Sequence, residues 1–242
     1  MIPIYRTDPY LFSLETIADA VSEEGETQLV TCRELIFSEG GGQPADYGTV
    51  FFGGTTSSVL ELVKGKGDVR LRIAPIAGLV KGQKILVEIE PNRRLSIMRL
   101  HTTQHALAGA LRRCVEDYET GGMQISEDAK VCTMRFVSKR FTGLDNLGKG
   151  IEVLEQGIKD GLKVEAEVFD NVEQAKAHFG NLYRPSDPRV QIKGKVRLVS
   201  IDGLDANACG GTHLKSLTEV GEFSVSLEDY HRETGEGFVA IR

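Results

Sequence analysis

PNRRLSIMRLHTTQHALAGALRRCVEDY, residues 91–118, is the stretch on which the reading of this chain turns. Pro91 suits the first turn of a helix, where its missing N–H would have no partner anyway. Leu95, Met98, Leu107, Leu111 and Val115 recur at helical spacing, which predicts one long helix over 91–118. Before it the character of the chain is different. Short alternating apolar segments at 28–37, 49–52, 57–63 and 84–90 are separated by glycine-bearing turns, which predicts an antiparallel β unit. After it, strands at 130–137, 163–169 and 196–201 are interleaved with helices at 144–161 and 171–179, and alternating segments at 221–227 and 237–241 close the chain. Val164, Ala166 and Val168 fall on one face of their strand, and Asn171 followed by Gln174 has the spacing of a capping box. The fold class expected is α+β, with a β domain over 1–90 and a domain of antiparallel sheet and packed helices over 91–242.

With 242 residues, 40% of them hydrophobic, the chain can build two modest cores. It has no apolar run near the roughly 18 residues of a membrane helix, and its start lacks the layout of a signal peptide. No membrane partner and a cytoplasmic location are therefore expected. Cys32, Cys114, Cys132 and Cys209 are scattered, so no disulfide framework is expected, and core packing accounts for the first three. The net charge of −6 argues against a broad basic face for a polyanion. Local clusters temper this: Arg93, Arg94 and Arg99; Arg112 and Arg113; Lys139 and Arg140; Lys193, Lys195 and Arg197. Each reads equally as solvated surface or as phosphate contact.

His101 and His105 lie four apart on the long helix, which stacks both imidazoles on one face. A histidine pair at that spacing is often decoration. Its partner is Cys209-Gly210-Gly211-Thr212-His213, where a thiolate and an imidazole flank a Gly-Gly pair able to turn both inward. Three nitrogens and a sulfur make a tetrahedral set suited to one Zn2+ per chain. Thr102 stands where zinc peptidases carry a glutamate general base, which disfavours that chemistry. Ala106, Ala108, Gly109 and Ala110 give the helix a thin flank, against which either another element or substrate packs closely. A second glycine cluster, Gly40-Gly41-Gly42-Gln43-Pro44-Ala45-Asp46, lacks the lysine and hydroxyl residue of a phosphate loop. It reads as a tight β turn or as backbone closely approaching a ligand.

Together, in this order and separation, the glycine cluster, residues 101–105 and residues 209–213 resemble the free-standing alanyl-tRNA editing proteins and the editing domain of alanyl-tRNA synthetase. The resemblance implies zinc at His101, His105, Cys209 and His213, and hydrolysis of the ester joining a mischarged serine, or glycine, to alanine tRNA. It implies a catalytic pocket holding Gln124, Thr102 and Thr103. It also implies a small barrel-like N-terminal domain whose Gly40, Gly41, Gly42, Gln43 and Asp46 approach the acceptor end of the tRNA. At this length no room is left for a separate aminoacylation domain. A monomer and a homodimer are both compatible with the sequence. Two rival readings stay open here: a non-catalytic RNA-binding module clipped by zinc, and a zinc hydrolase of a small ester or amide.

Overall fold

The computed structural model describes residues 3–65, 69–185 and 193–242, and the chain divides into two units, residues 1–39 with 45–94 and residues 40–44 with 95–242. The first holds a single helical turn, α1 (Ile4–Thr7), then β1 (Ser13–Ile17), β2 (Ala20–Glu24), β3 (Thr27–Thr31), β4 (Gly48–Phe52), β5 (Thr55–Lys64), β6 (Val69–Ile73) and β7 (Lys84–Ile89). The strands form one antiparallel sheet in the order β1-β7-β4-β5-β6-β3-β2. β5 is twice as long as most of its neighbours and serves two of them. Its first residues, from Thr55 to Ser58, pair with β4, and the stretch from Val59 to Lys64 pairs with β6. A bulge between Val59 and Glu61 divides the two pairings; bulges bend and twist a strand, so the sheet curls there. The curl closes over a core that includes Val30, Leu35, Val50, Ile73, Val87 and Ile89.

The second unit is threaded by α2 (Pro91–Cys114), whose opening turn belongs to the first. There follow β8 (Glu119–Ile125), β9 (Cys132–Val137), α3 (Leu144–Lys159), β10 (Val164–Phe169), α4 (Val172–Phe179), β11 (Tyr183–Arg184), β12 (Val196–Ile201), β13 (Asp205–Ala208), β14 (Val225–His231) and β15 (Glu236–Ile241). They make two four-stranded sheets, β14-β15-β9-β8 and β10-β12-β13-β11. Every pairing is antiparallel except β11 with β13. The whole is α+β. Among the described residues no helix is long and apolar enough to cross a membrane.

Local chemistry is visible at two helix ends. The Asn171 side chain accepts from the Gln174 N–H at 2.9 Å, capping α4 as its spacing predicts. α2 stops at Cys114, four residues short of the expected end, after Val115 makes a last bond to the Leu111 carbonyl. Six strands lie outside the segments expected from the sequence: β1, β2, β6 and β11, and the two next to the site, β8 and β13. β8 contains Gly121 and Gly122 and a register shift between Thr120 and Gly122, which obscures its alternation. β13, four residues long, lies inside what reads as a loop before His213. Val168 is 53% exposed although it shares a strand face with the buried Val164.

Candidate metal centre

Residues 100–111 of α2 are buried on every side of the helix. A helix buried all round should be apolar, yet His101, Thr102, Thr103, Gln104 and His105 are consecutive, none more than 4% exposed. Buried polar groups are costly unless paired, so each of the five demands a partner. Thr103 turns back to the Arg99 carbonyl at 2.7 Å, a bond within its own helix. The Gln104 amide meets the Met134 sulfur at 3.3 Å. The other three reach chain segments far away in sequence, and these define the site.

The segment 209–213 brings the remaining donors. His101 Nε2 lies 3.5 Å from Cys209 Sγ and His213 Nε2 lies 3.4 Å from it. The ligand atoms of His101, His105, Cys209 and His213 all fall within 4.8 Å of one another, close enough to hold one metal ion. Gly211 makes this approach possible: a Cβ there would sit 2.4 Å from His101 Cε1 and 2.5 Å from Gln43 Oε1. Arg197 on β12 secures the same segment, donating through Nη1 to the carbonyls of Cys209 and Gly211 at 2.8 and 3.1 Å.

Each imidazole is held from behind at Nδ1. For His101 the partner is Gln43 Oε1 at 3.0 Å, and for His213 it is Thr102 Oγ1 at 3.2 Å. For His105 it is the Asp205 carboxylate at 3.3 Å, a buried pair at ion-pair range that is not aligned as a hydrogen bond and whose facing atoms have no other hydrogen-bond partner. Asp205 also pairs with Arg112. Gly109 admits it: a Cβ on this residue would meet the Leu204 carbonyl oxygen at 2.7 Å and Asp205 Cβ at 3.1 Å, so the thin flank of α2 serves close packing. Electrostatically the site is a coupled set. Burial pushes His101 and His213 below the usual imidazole range. Burial also opposes charging of His105, but Asp205 and Cys209 overcome it and raise this group to about 9. Burial resists ionisation of Cys209 too, yet facing His101 and His213 holds the thiol well below its ordinary range.

The other residues singled out from the sequence lie as follows. Gly40 and Gln43 exchange both backbone hydrogen bonds at 3.0 Å around Gly41 and Gly42, whose φ values of 60° and 83° make a turn that glycine alone enters easily. Asp46 is buried in a bidentate pair with Arg94, at 2.9 Å to Nε and 2.5 Å to Nη2, and also accepts from the Phe37 N–H. Arg94 is completely buried, so that member of its basic cluster is neither solvated surface nor a phosphate contact. Arg93 donates to the Ala45 carbonyl and stacks 3.9 Å over the Tyr47 ring. Gln124 stands exposed on β8, donating to the Ile125 carbonyl, and makes no hydrogen bond to the four clustered residues. Arg113 and Arg140 are engaged with the Gly203 carbonyl and Glu116, and Lys195 with Asp170.

Residues 196–237, which carry Cys209 and His213, match the family model described as the Threonyl and Alanyl tRNA synthetase second additional domain. Over 226 residues the chain is 28% identical to Alanyl-tRNA editing protein AlaX-L of Pyrococcus horikoshii, covering 92% of this chain and 53% of that protein. Similarity of 28% over 225 residues to an Alanine--tRNA ligase of Ignicoccus hospitalis covers 92% of this chain and 24% of the ligase, and an Alanine--tRNA ligase of Streptococcus agalactiae is 29% identical over 223 residues. The chain is similar to an alanyl-tRNA editing protein and to the matching part of alanine--tRNA ligases. It spans about half the length of the curated editing protein and about a quarter of the ligases it matches.

Sequence reasoning missed Asp205 and Arg112 as neighbours of His105, and Arg197 as the anchor of the 209–213 segment. The one available signal was Gly109: a helix glycine one turn beyond His105 announces that some backbone approaches there, but not which. Gln43 was legible as part of a motif, whereas its contact with His101 was not.

Proposed function

We propose that this chain is a zinc-dependent aminoacyl-tRNA deacylase that hydrolyses mischarged alanine tRNA in trans, removing serine or glycine from the acceptor end. The observation that carries the reading is the convergence of three imidazole nitrogens and one thiol sulfur in the buried cluster of a chain related to alanyl-tRNA editing proteins. The donor set fits zinc. Bonds of about 2.3 Å to sulfur and about 2.05 Å to nitrogen at tetrahedral angles separate the two donor types by about 3.6 Å, close to the 3.5 and 3.4 Å from Cys209 Sγ to His101 and His213.

His101, His105, Cys209 and His213 would hold the ion. When bound, zinc supplies positive charge that fixes and polarises groups of the substrate at the pocket. The remaining work falls to the chain. An aminoacyl ester is already activated, so orienting a water and stabilising the developing oxyanion suffices. Gln124 offers an amide oxygen that no described residue engages, suited to holding water or the ester. Thr102 orients His213, and Thr103 completes the polar wall of α2. A site built around the serine hydroxyl rejects alanine because the hydrogen bond is then lost. In this reading residues 91–242 are the editing domain, residues 1–90 accompany it at the acceptor end, and action is in the cytoplasm, where tRNA is charged.

Parallel incubation of the zinc-loaded protein with seryl-, glycyl- and alanyl-charged alanine tRNA tests the proposal. Preferential release of serine or glycine over alanine is expected, weakening as salt rises because phosphate contacts guide binding. Release that is indifferent to tRNA and salt would indicate a small-ester hydrolase. Bound zinc with no release from any of the three would leave a metal-clipped binding module.

A further inference from the structure

We propose that the glycine turn is a supporting arm of the metal centre, with Gln43 a positioning residue for His101, and that Gln43, Thr102 and Asp205 form a shell that aims one nitrogen of each imidazole inward. The proposal rests on the reading of His101, His105, Cys209 and His213 as a metal site.

The hydrogen-bond pattern around Gln43 determines its own polarity. The Thr212 backbone N–H, 3.0 Å away, can only donate, so the atom facing it is the amide oxygen. The amide nitrogen then donates to Thr212 Oγ1, also at 3.0 Å. The same oxygen faces His101 Nδ1. An amide oxygen only accepts, so Nδ1 must carry the hydrogen, and the lone pair is left at Nε2, the atom directed at Cys209. The Asp205 carboxylate faces Nδ1 of His105 at 3.3 Å, at ion-pair range, and so takes up the corresponding nitrogen of the second ring. Thr102 serves His213 and is itself fixed by the Leu214 N–H, which donates to its hydroxyl at 3.0 Å. Two of the three shell residues thus grip both an imidazole and the backbone of the loop that supplies the other donors. A ring held at the nitrogen remote from the ion keeps its tautomer and its aim, which raises ligand affinity without direct contact.

The glycines explain how Gln43 gets there. A Cβ on Gly42 would lie 1.9 Å from the Met123 carbonyl oxygen, a position no side chain can occupy. The Gly42 carbonyl accepts from the Ile125 N–H at 2.8 Å, which pins the turn on β8. Residues 40–44 pack with the second unit although the chain on both sides of them belongs to the first. The turn therefore ends against a strand at Gly42 and delivers the very next residue, 1% exposed, to His101. On this account the close backbone approach that the glycine run permits is an approach to β8, and its purpose is to place one amide.

Gln43→Met keeps the length of the side chain and removes its acceptor. Zinc affinity, measured by competition with a chromogenic chelator, is expected to fall about 10- to 100-fold, and the visible absorption of the cobalt(II)-substituted protein to change, while the metal-free protein melts as before. Thr102→Val should weaken zinc in the same way, and Thr102→Ser, which keeps the hydroxyl, should restore it. Unaltered affinity and cobalt spectrum in Gln43→Met would overturn the proposal. So would an affinity loss matched by an equal loss of metal-free stability, because the residue would then serve folding alone. Failure of the unsubstituted protein to take up zinc overturns the metal site itself, whereas uptake by wild type and variants alike overturns only the shell.

Discussion

Gly211→Ala adds one methyl group at the most crowded point of the centre. The new Cβ would lie 2.4 Å from His101 Cε1, 2.8 Å from His101 Nδ1 and 2.5 Å from Gln43 Oε1. Ordinary contact for such atoms begins about 1 Å farther out, so either the imidazole or the 209–213 segment must retreat by that amount. Gly211 is not among the glycines with positive φ, so backbone strain contributes nothing and the effect is steric. Metal bonds tolerate displacements of only about 0.2 Å. The metal-free protein can relieve the clash by tilting His101, but the loaded protein cannot, so the penalty falls on binding. Overpacking of this kind costs about 1–3 kcal/mol, which corresponds to zinc binding weakened about 5- to 150-fold at 1.4 kcal/mol per tenfold. Chelator competition reads the affinity, and thermal melting of the stripped protein reads the residual effect on folding. Wild-type zinc affinity in Gly211→Ala would refute the placement of His101 against this loop and the packing argument with it.

Cys209→Ala should abolish most zinc retention after gel filtration together with most deacylation, since it deletes the one sulfur donor of the set; full metal content and full rate would contradict its role. Arg94→Met leaves Asp46 buried without its partner and should destabilise the protein by about 3–5 kcal/mol in urea unfolding, whereas near-zero loss would argue that Asp46 is available to substrate. Burial pushes the Cys32 and Cys132 thiols up to about 12, so both stay protonated below that pH and should resist iodoacetamide at pH 8 until the chain unfolds. Chelation should make Cys209 the first cysteine labelled, because its thiol is held well below the ordinary range; peptide mass spectrometry showing Cys32 modified first in the folded protein would contradict this ordering.

Much of the architecture is legible in the sequence because it is periodic. The helical recurrence after Pro91, the alternation at 196–201 and the Asn171 cap each depend on neighbours a few residues away, and each appears where expected. Elements without a clean period were not legible. β8 is broken by its glycine pair, and β13 is too short to show alternation, yet β13 carries Asp205. The curl of the N-terminal sheet depends on a single bulge in β5, which no local pattern announces.

Taken alone, the sequence determined the four candidate ligands, because a metal needs particular donor atoms and those residue types at spacings 101/105 and 209/213 are rare enough to read. Only the tertiary structure decided what stands behind them. A polar partner can come from anywhere in the chain, and Gln43, Thr102 and Asp205 arrive from a turn, from the ligand helix itself and from a four-residue strand. Local pattern reports which groups a segment carries. Which of them meet is set by packing over long sequence separations, where a missing Cβ at Gly42, Gly109 or Gly211 determines how near two backbones can come.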